Sequence, residues 1–587
     1  MIFRSTNGLF DGRGRRVLIL FCSLLALSRA SGATPASDDG DVVLRALTDE
    51  LKRSMTLRLE DLDQPYFIQY GVEDTSVYRI SATYGALLQT DENHSRELQA
   101  QVRVGNYTLD NSNFSGRGRR ELGGNTELPL DDDYLALRHA IWLATDSRYK
   151  SAVETLTQKR AYMRDRTIED RPPDFAKVTA ITSLEARVSF KFDQPAWEDY
   201  ARSISAAFQE YAHIQNAEVS LTAGAEIRYL VNSEGSRLRS ADTGVLLRIH
   251  AEGQAADGER ISDQYTSYAV LPEQMPRLPE VLAEVKKLAD RLNDIMRAPV
   301  LEEYTGPVLL DELAAPQFFR QLLARGVAGQ TDPVGSARRS SSGGAELENR
   351  LGKRILPVTF QIYDDPRPEK FQNLFLTGSY VFDDEGVPAQ RVEIVVDGKL
   401  QGMVMSRAPT KQFNRSTGHG RRGSAEPPRS TIGCLYVESA KGESPAELKK
   451  ELIDAAEAEG LKYGLRVTSL QERGPGGFSR RGFGGFGGVG GTPSRVSDPI
   501  TIYKVYVADG HEELVRGVEF NAVDVRSLRR IIAAGNVRAL HNSTGMAGPA
   551  SSVIAPAVLF EELELTRIKQ ETEKKPFLEP PQARKSG

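Results

Sequence analysis

Cysteine is almost missing from this chain of 587 residues: there are two, Cys22 and Cys434. Two residues so far apart exclude any Cys-x-x-Cys metal or redox site. Histidine is sparse as well. The seven, His94, His139, His213, His250, His419, His511 and His541, never come within five positions of one another, so their spacing forms no metal-ligand pair. No excess of positive charge exists either. Lys and Arg number 75 against 80 Asp and Glu, a formal net charge of −5, which supplies no basic footprint for nucleic acid. There is no Gly-x-Ser-x-Gly elbow and no phosphate-binding P-loop. The one notable apolar run, Val17 to Leu27, is shorter than the roughly 20 residues of a membrane-spanning helix.

What is present describes a globular protein. Apolar content of 40% and charge of 26% are ordinary values, and the length suffices for two or more domains. Arg4, Arg13, Arg15 and Arg16 precede the apolar run, and Ser31 and Ala33 stand before Thr34. Basic start, short apolar centre and small-residue exit read as a signal peptide over residues 1–33, hence an exported, periplasmic or secreted product. The other reading is an uncleaved N-terminal anchor. Loss of the five Arg and one Asp in this segment takes the formal charge from −5 to −9. It also removes Cys22, so Cys434 has no partner for an intramolecular disulfide even in an oxidising compartment.

Residues 34–44 form a polar lead-in that runs into a helix over about 41–55. Tyr66 to Tyr70 and Leu98 to Val104 alternate as strands do. Residues 112–130 read as loop. From Asp131 a long helical pattern carries Leu135, Ile141, Trp142, Val153 and Leu156 toward a core. Strand patterns follow at 216–222, 226–232, 244–251 and 265–271, then a helix over 279–297 with Val281, Leu282, Val285, Leu288, Leu292 and Ile295 on one stripe. Ala298-Pro299 and Thr305-Gly306-Pro307 mark a boundary between a domain at 45–300 and one at 301–565. The second is richer in strands: Ile355 to Ile362, Leu374 to Phe382, Gln390 to Val396 and Ile500 to Val507. It holds one well-marked helix, begun by the capping box Ser444-Pro445-Ala446-Glu447 and stopped at Gly460. Low-complexity insertions at 331–348 and 473–492 and a Pro- and Lys-rich tail at 566–587 complete the chain.

Many short motifs together resemble the TldD/PmbA family of metallopeptidase-type proteins, also called modulators of DNA gyrase. They include Arg103-Val104-Gly105, Asn232-Ser233-Glu234-Gly235, Gly306-Pro307-Val308-Leu309, Leu351-Gly352-Lys353-Arg354, Tyr363-Asp364-Asp365-Pro366, Thr417-Gly418-His419-Gly420-Arg421 and Val515-Arg516-Gly517. The resemblance covers roughly residues 45–565. It implies an α+β fold of two domains, a mixed α/β N-terminal domain and a β-rich C-terminal domain, with hydrolysis of small or unfolded polypeptides in active members. Such members carry His-Glu-x-x-x-His on a helix, with a Cys near the C-terminus as a further zinc ligand. The matching positions here are Arg320, Gln321 and Arg325, and Asn542 to Gly548 contains no Cys. A guanidinium stays protonated and offers no lone pair to a metal.

All three ligands and the base of a zinc peptidase are thus replaced together. The expectation is a peptidase-like protein with no catalytic residue to name and no cofactor, zinc belonging to the active members. Its partners would be a peptide or unfolded polypeptide, and a homo- or hetero-oligomer that includes a metal-bearing paralogue, with no nucleic acid and no stable membrane span once the signal is cleaved. Cleft candidates are His419, Arg421, His541 and Asp364. On a regular helix Arg320 and Arg325 diverge by about 140°, so each would meet its own carboxylate or water, or one would bind a peptide carboxylate. The alternative function is an active hydrolase with a site relocated to His419, His541 and Asp364. A third is a purely structural envelope protein. Asp364-Asp365 before Pro366 reads as a turn, and Cys434 as a small buried hydrophobe.

Overall fold

The computed structural model describes residues 40–58, 62–116, 125–164, 166, 171–336, 347–423, 427–471, 496–543 and 549–568. The segment 1–33 read as a signal peptide, the insertion at 473–492, residues 337–346 of that at 331–348 and nearly all of the tail lie outside the described residues.

The N-terminal domain is built on four long strands, β1 (Pro65–Thr83), β2 (Ala86–Val104), β3 (Asn216–Asn232) and β4 (Arg237–Gln254), in the antiparallel order β2-β1-β3-β4. A further strand, β5 (Arg260–Ala269), pairs antiparallel with β4, and Thr182–Leu184 adds parallel to its start. Sequence pattern divides β3 in two around Gly224. The strand instead runs through, because Gly224 lies over Ser76, whose carbonyl oxygen would stand 2.2 Å from an added Cβ. A missing side chain permits close backbone approach here rather than ending the strand.

Alternation of side chains puts Tyr70, Val72, Ile80 and Ala82 of β1 and Val219, Leu221, Tyr229 and Val231 of β3 on one buried face. Helices α1 (Val42–Ser54) and α2 (Tyr134–Arg164) cover one end of this face. Helices α3 (Gln194–Ala206) and α4 (Leu278–Arg297) cover the other. The α4 stripe is buried at Val281, Val285, Leu288, Leu292 and Ile295. On α2 the sequence expectation fails at Leu135, which is 73% exposed. It precedes the buried Leu137 by two positions, about 200° around the helix. The opposite face of the sheet carries Glu73, Glu226, Arg228, Ser240 and Asp242 and looks toward the second domain.

The C-terminal domain centres on β6 (Glu303–Leu310), β7 (Phe360–Asp364), β8 (Cys434–Ser439), β9 (Tyr463–Leu470), β10 (Pro499–Tyr506), β11 (Ile531–Ser543) and β12 (Ser551–Arg567). The middle of its sheet runs β7-β8-β12-β6-β9-β10, and β11 pairs with β12. Helix α5 (Ala314–Leu323) packs Phe318, Phe319 and Leu322 onto one face, with Phe318 5.2 Å from Phe560 between ring centroids. Helix α6 (Pro445–Ala458) packs Leu448 and Leu452 onto the other, against Leu309 and Leu559. Its capping box is formed: Ser444 Oγ accepts from Glu447 N at 3.3 Å, and Glu447 Oε2 accepts from Ser444 N at 2.7 Å.

Two corrections concern strands. Of Leu374 to Phe382 only Leu374–Phe375 is strand, since Gly378 turns the segment against Gly433, whose carbonyl would stand 2.1 Å from an added Cβ. Of Ile355 to Ile362 only Phe360 onward is strand, after Pro357.

Arg407 of the C-terminal domain joins the two domains. Fully buried, it donates from Nε and Nη2 to the Ala176 carbonyl at 2.9 and 2.8 Å and pairs with Glu234 at 2.8 Å. Its guanidinium lies 4.0 Å from the Phe175 ring centroid.

Candidate functional site

Helix α5 begins three residues after the central strand β6, so its position is fixed from both ends of the hydrophobic core. Burying Phe318, Phe319, Leu322 and Leu323 turns Arg320 and Gln321 partly outward, toward the end of β11 and the start of β10. Arg320 Nη2 donates to Ser543 Oγ at 2.8 Å. Gln321 makes two bonds to one residue: Nε2 donates to Ser497 Oγ at 2.8 Å, and Oε1 accepts from Ser497 N at 2.7 Å. The helix stops at Leu323, so Arg325 is not on it and lies exposed in the following turn. The 140° separation expected for one continuous helix therefore does not apply.

This donor set does not fit zinc. Two guanidiniums have no lone pair to give, and the amide oxygen of Gln321 is already engaged by a backbone N–H. Ser543 belongs to the stretch in which a third ligand was sought; residues 544–548 of that stretch lie outside the described residues. Among the described residues no three His, Cys, Asp or Glu side chains gather in a metal-holding group.

His541 is also buried on β11, and its pKa is pushed down to about 3, by burial first and by the Arg320 charge second. His419 and Asp364 meet: Nε2 lies 3.0 Å from Oδ1, with both side chains fully buried. Asp364 Oδ1 also accepts from Gly433 N at 3.1 Å and Cys434 N at 3.2 Å. The other nitrogen of His419, Nδ1, is 2.9 Å from the Thr417 carbonyl. Each ring nitrogen thus faces an oxygen acceptor, and the pair ties the loop of His419 to the end of β7. Asp365 forms the expected turn, accepting from Arg367 N at 3.2 Å. Cys434 is buried and free; burial, with the Asp364 carboxylate near, pushes its thiol pKa well up. Such a thiol is a poor nucleophile.

Between the domains lies a cleft of about 1390 Å³. Of the four cleft candidates from the sequence, Arg421 lines it and His419, His541 and Asp364 do not. Sequence reasoning missed Arg228, Arg422, Asp242 and Asp384. Arg421 lies 4.1 Å over the Tyr380 ring and donates from Nε to Asp384 Oδ2 at 3.4 Å. Arg422 donates to Glu73 across the domain seam. Arg228 donates from Nη2 to Asp242 Oδ2 at 2.5 Å. Burial would raise the Asp384 pKa, but Arg421, Arg228 and Arg422 together hold it below the ordinary carboxylate value. Charged residues at unremarkable spacing gave no signal of this cluster; only the facing of two domains assembles it.

Residues 303–567 match the family described as PmbA/TldA metallopeptidase C-terminal domain. A metalloprotease from Synechocystis is 28% identical over 193 residues, 33% of this chain and 38% of that protein. One from Archaeoglobus fulgidus is 26% identical over 216 residues, 37% of this chain and 44% of that protein. The matched stretch thus spans less than half the length of these relatives. TldE from Thermococcus kodakarensis superposes with a TM-score of 0.54 at 14% identity, over 89% of this chain and all of its own. The Thermotoga maritima protein called a modulator of a DNA gyrase gives a TM-score of 0.55 at 15% identity, over 85% and 96%. At such identities these two structures speak for the fold.

Proposed function

Because the chain belongs to the TldD/PmbA family, we propose that it is a metallopeptidase-like protein without zinc-dependent hydrolysis at α5. It binds a peptide or unfolded polypeptide, or acts as the partner subunit of a metal-bearing paralogue. The observation that carries this reading is the bond from Arg320 to Ser543, with its neighbour Gln321 on Ser497. Where a zinc peptidase needs lone pairs and a base, these side chains present N–H groups and are committed to hydroxyls. Export through the segment 1–33 is part of the same proposal.

Metal analysis of the purified mature chain tests it, together with cleavage of unfolded peptides with and without chelator. The expected result is no zinc held at α5 and no chelator-sensitive cleavage. One zinc per chain with cleavage abolished by chelation overturns it. The N-terminal sequence of secreted material, beginning at Thr34, checks the export step.

A relocated hydrolase site has one observation in its favour, the 3.0 Å contact of His419 with Asp364. Against it stands the full burial of both side chains. Turnover unchanged on substituting His419 and His541 would remove that reading.

A further inference from the structure

We propose that the interdomain cleft is a receptor for the carboxylate of a bound peptide, received by Arg228 and Arg422 in exchange for the resident carboxylate of Asp242. This rests on the reading of the chain as peptide-binding.

The guanidiniums of Arg228 and Arg421 lie 3.8 and 3.4 Å from the carboxylate of Asp384, which also accepts from the backbone N–H of Arg422 at 2.9 Å. Their donors are not used up. Arg228 Nε and Arg422 Nη1 are shut from water and have no hydrogen-bond partner among the described residues. A buried guanidinium N–H without an acceptor is costly, which favours any conformation that supplies one. The Arg422 side chain is 8% exposed and held on Glu73, while its backbone N–H is held on Asp384, so the residue is built into the wall.

The acids around these arginines differ in how firmly they are held. Asp384 is 13% exposed and shared by three cations. Asp242 is 60% exposed and, among the described residues, its ion pair is with Arg228. A pair whose acid stands mostly in water is weak and exchanges readily. Once Asp242 lets go, Arg228 stays beside Asp384, and the Nη2 donor that Asp242 held is open to an incoming carboxylate. The 1390 Å³ of the cleft exceeds the roughly 300–1000 Å³ of a small-molecule pocket. That size suits a peptide chain better than a free acid.

The test uses the full mature protein and a short unstructured, N-terminally labelled peptide followed by fluorescence anisotropy. Three forms are compared: a free C-terminal carboxylate, its C-terminal amide, and the amide with one internal Glu. Carboxylate-bearing forms are expected to bind about tenfold or more tighter than the plain amide. Arg228→Gln and Arg422→Gln are expected to erase that difference. Asp242→Asn acts in the opposite direction and tightens the carboxylate forms about threefold. Because Asp242 is exposed, this variant folds even if Arg228→Gln does not.

Tighter binding of the free terminus than of the internal Glu identifies the chain end as the source; the reverse identifies a side chain. Equal affinity for acid and amide overturns the receptor but leaves peptide binding standing. No binding of any form overturns both. Unchanged or weakened carboxylate binding in Asp242→Asn overturns the exchange.

Discussion

Arg320 Nη2 lies 2.8 Å from Ser543 Oγ, which joins α5 to the end of β11. A helix residue and a residue at the end of a strand 223 positions away are thus held by one side-chain hydrogen bond.

Replacing Gln321 by Glu should not restore hydrolysis. The carboxylate keeps an acceptor for Ser497 N but loses the donor to Ser497 Oγ, a loss of about 1 kcal/mol of stability. Denaturant unfolding should show that decrement, while peptide cleavage in added zinc stays at the background rate. Cleavage that rises with zinc contradicts it.

His541 makes the protein sensitive to acid. Its folded pKa of about 3 lies below the ordinary 6.5, so the unfolded chain binds the extra proton first. Its contribution is therefore complete above pH 6.5 and is lost as pH falls toward 3, at about 1.4 kcal/mol per unit. Stability curves against pH should lose this slope in His541→Gln. In Arg320→Ala the imidazole should titrate somewhat higher by NMR, because one of its two depressing causes is gone.

Arg407→Ala leaves Glu234 buried without its cation and removes the guanidinium packed against Phe67 and Phe175. Removing one partner of such a pair costs about 3–5 kcal/mol. Thermal unfolding is expected to become less cooperative as the domains lose their shared contact. Arg407→Lys should recover little, since a single ammonium cannot lie flat on Phe175 while donating twice to the Ala176 carbonyl.

Gly418 sits at φ +72°, with the Pro388 carbonyl 2.0 Å from the place of a Cβ. Gly418→Ala combines backbone strain with a clash against main chain, so a loss on the order of 3 kcal/mol is expected. The readout is the unfolding midpoint. A shift below about 1 kcal/mol would mean that the loop holding His419 is softer than its hydrogen bonds imply.

Local signals carried far where they were written in neighbouring residues. The Ser444 to Glu447 box and the α4 stripe were legible because capping and 3.6-residue periodicity involve residues three and four apart. Gly224 was misleading, because glycine breaks a strand in isolation yet permits close packing beside Ser76. Leu135 was misread because an apolar residue in a helical pattern says nothing of which side the sheet occupies.

The sequence by itself carried the likeness to the TldD/PmbA family, the α+β character and the lack of metal-ligating side chains at Arg320 and Arg325, since side-chain chemistry such as a protonated guanidinium is independent of fold. Tertiary structure decided what Arg320 and Gln321 bond and which charged residues face each other in the cleft. Ser543 is 223 residues from Arg320, and Arg422 is 349 from Glu73. Pairings at such separations leave no local pattern, because only packing of the two domains and the full sheet brings their partners within hydrogen-bond reach.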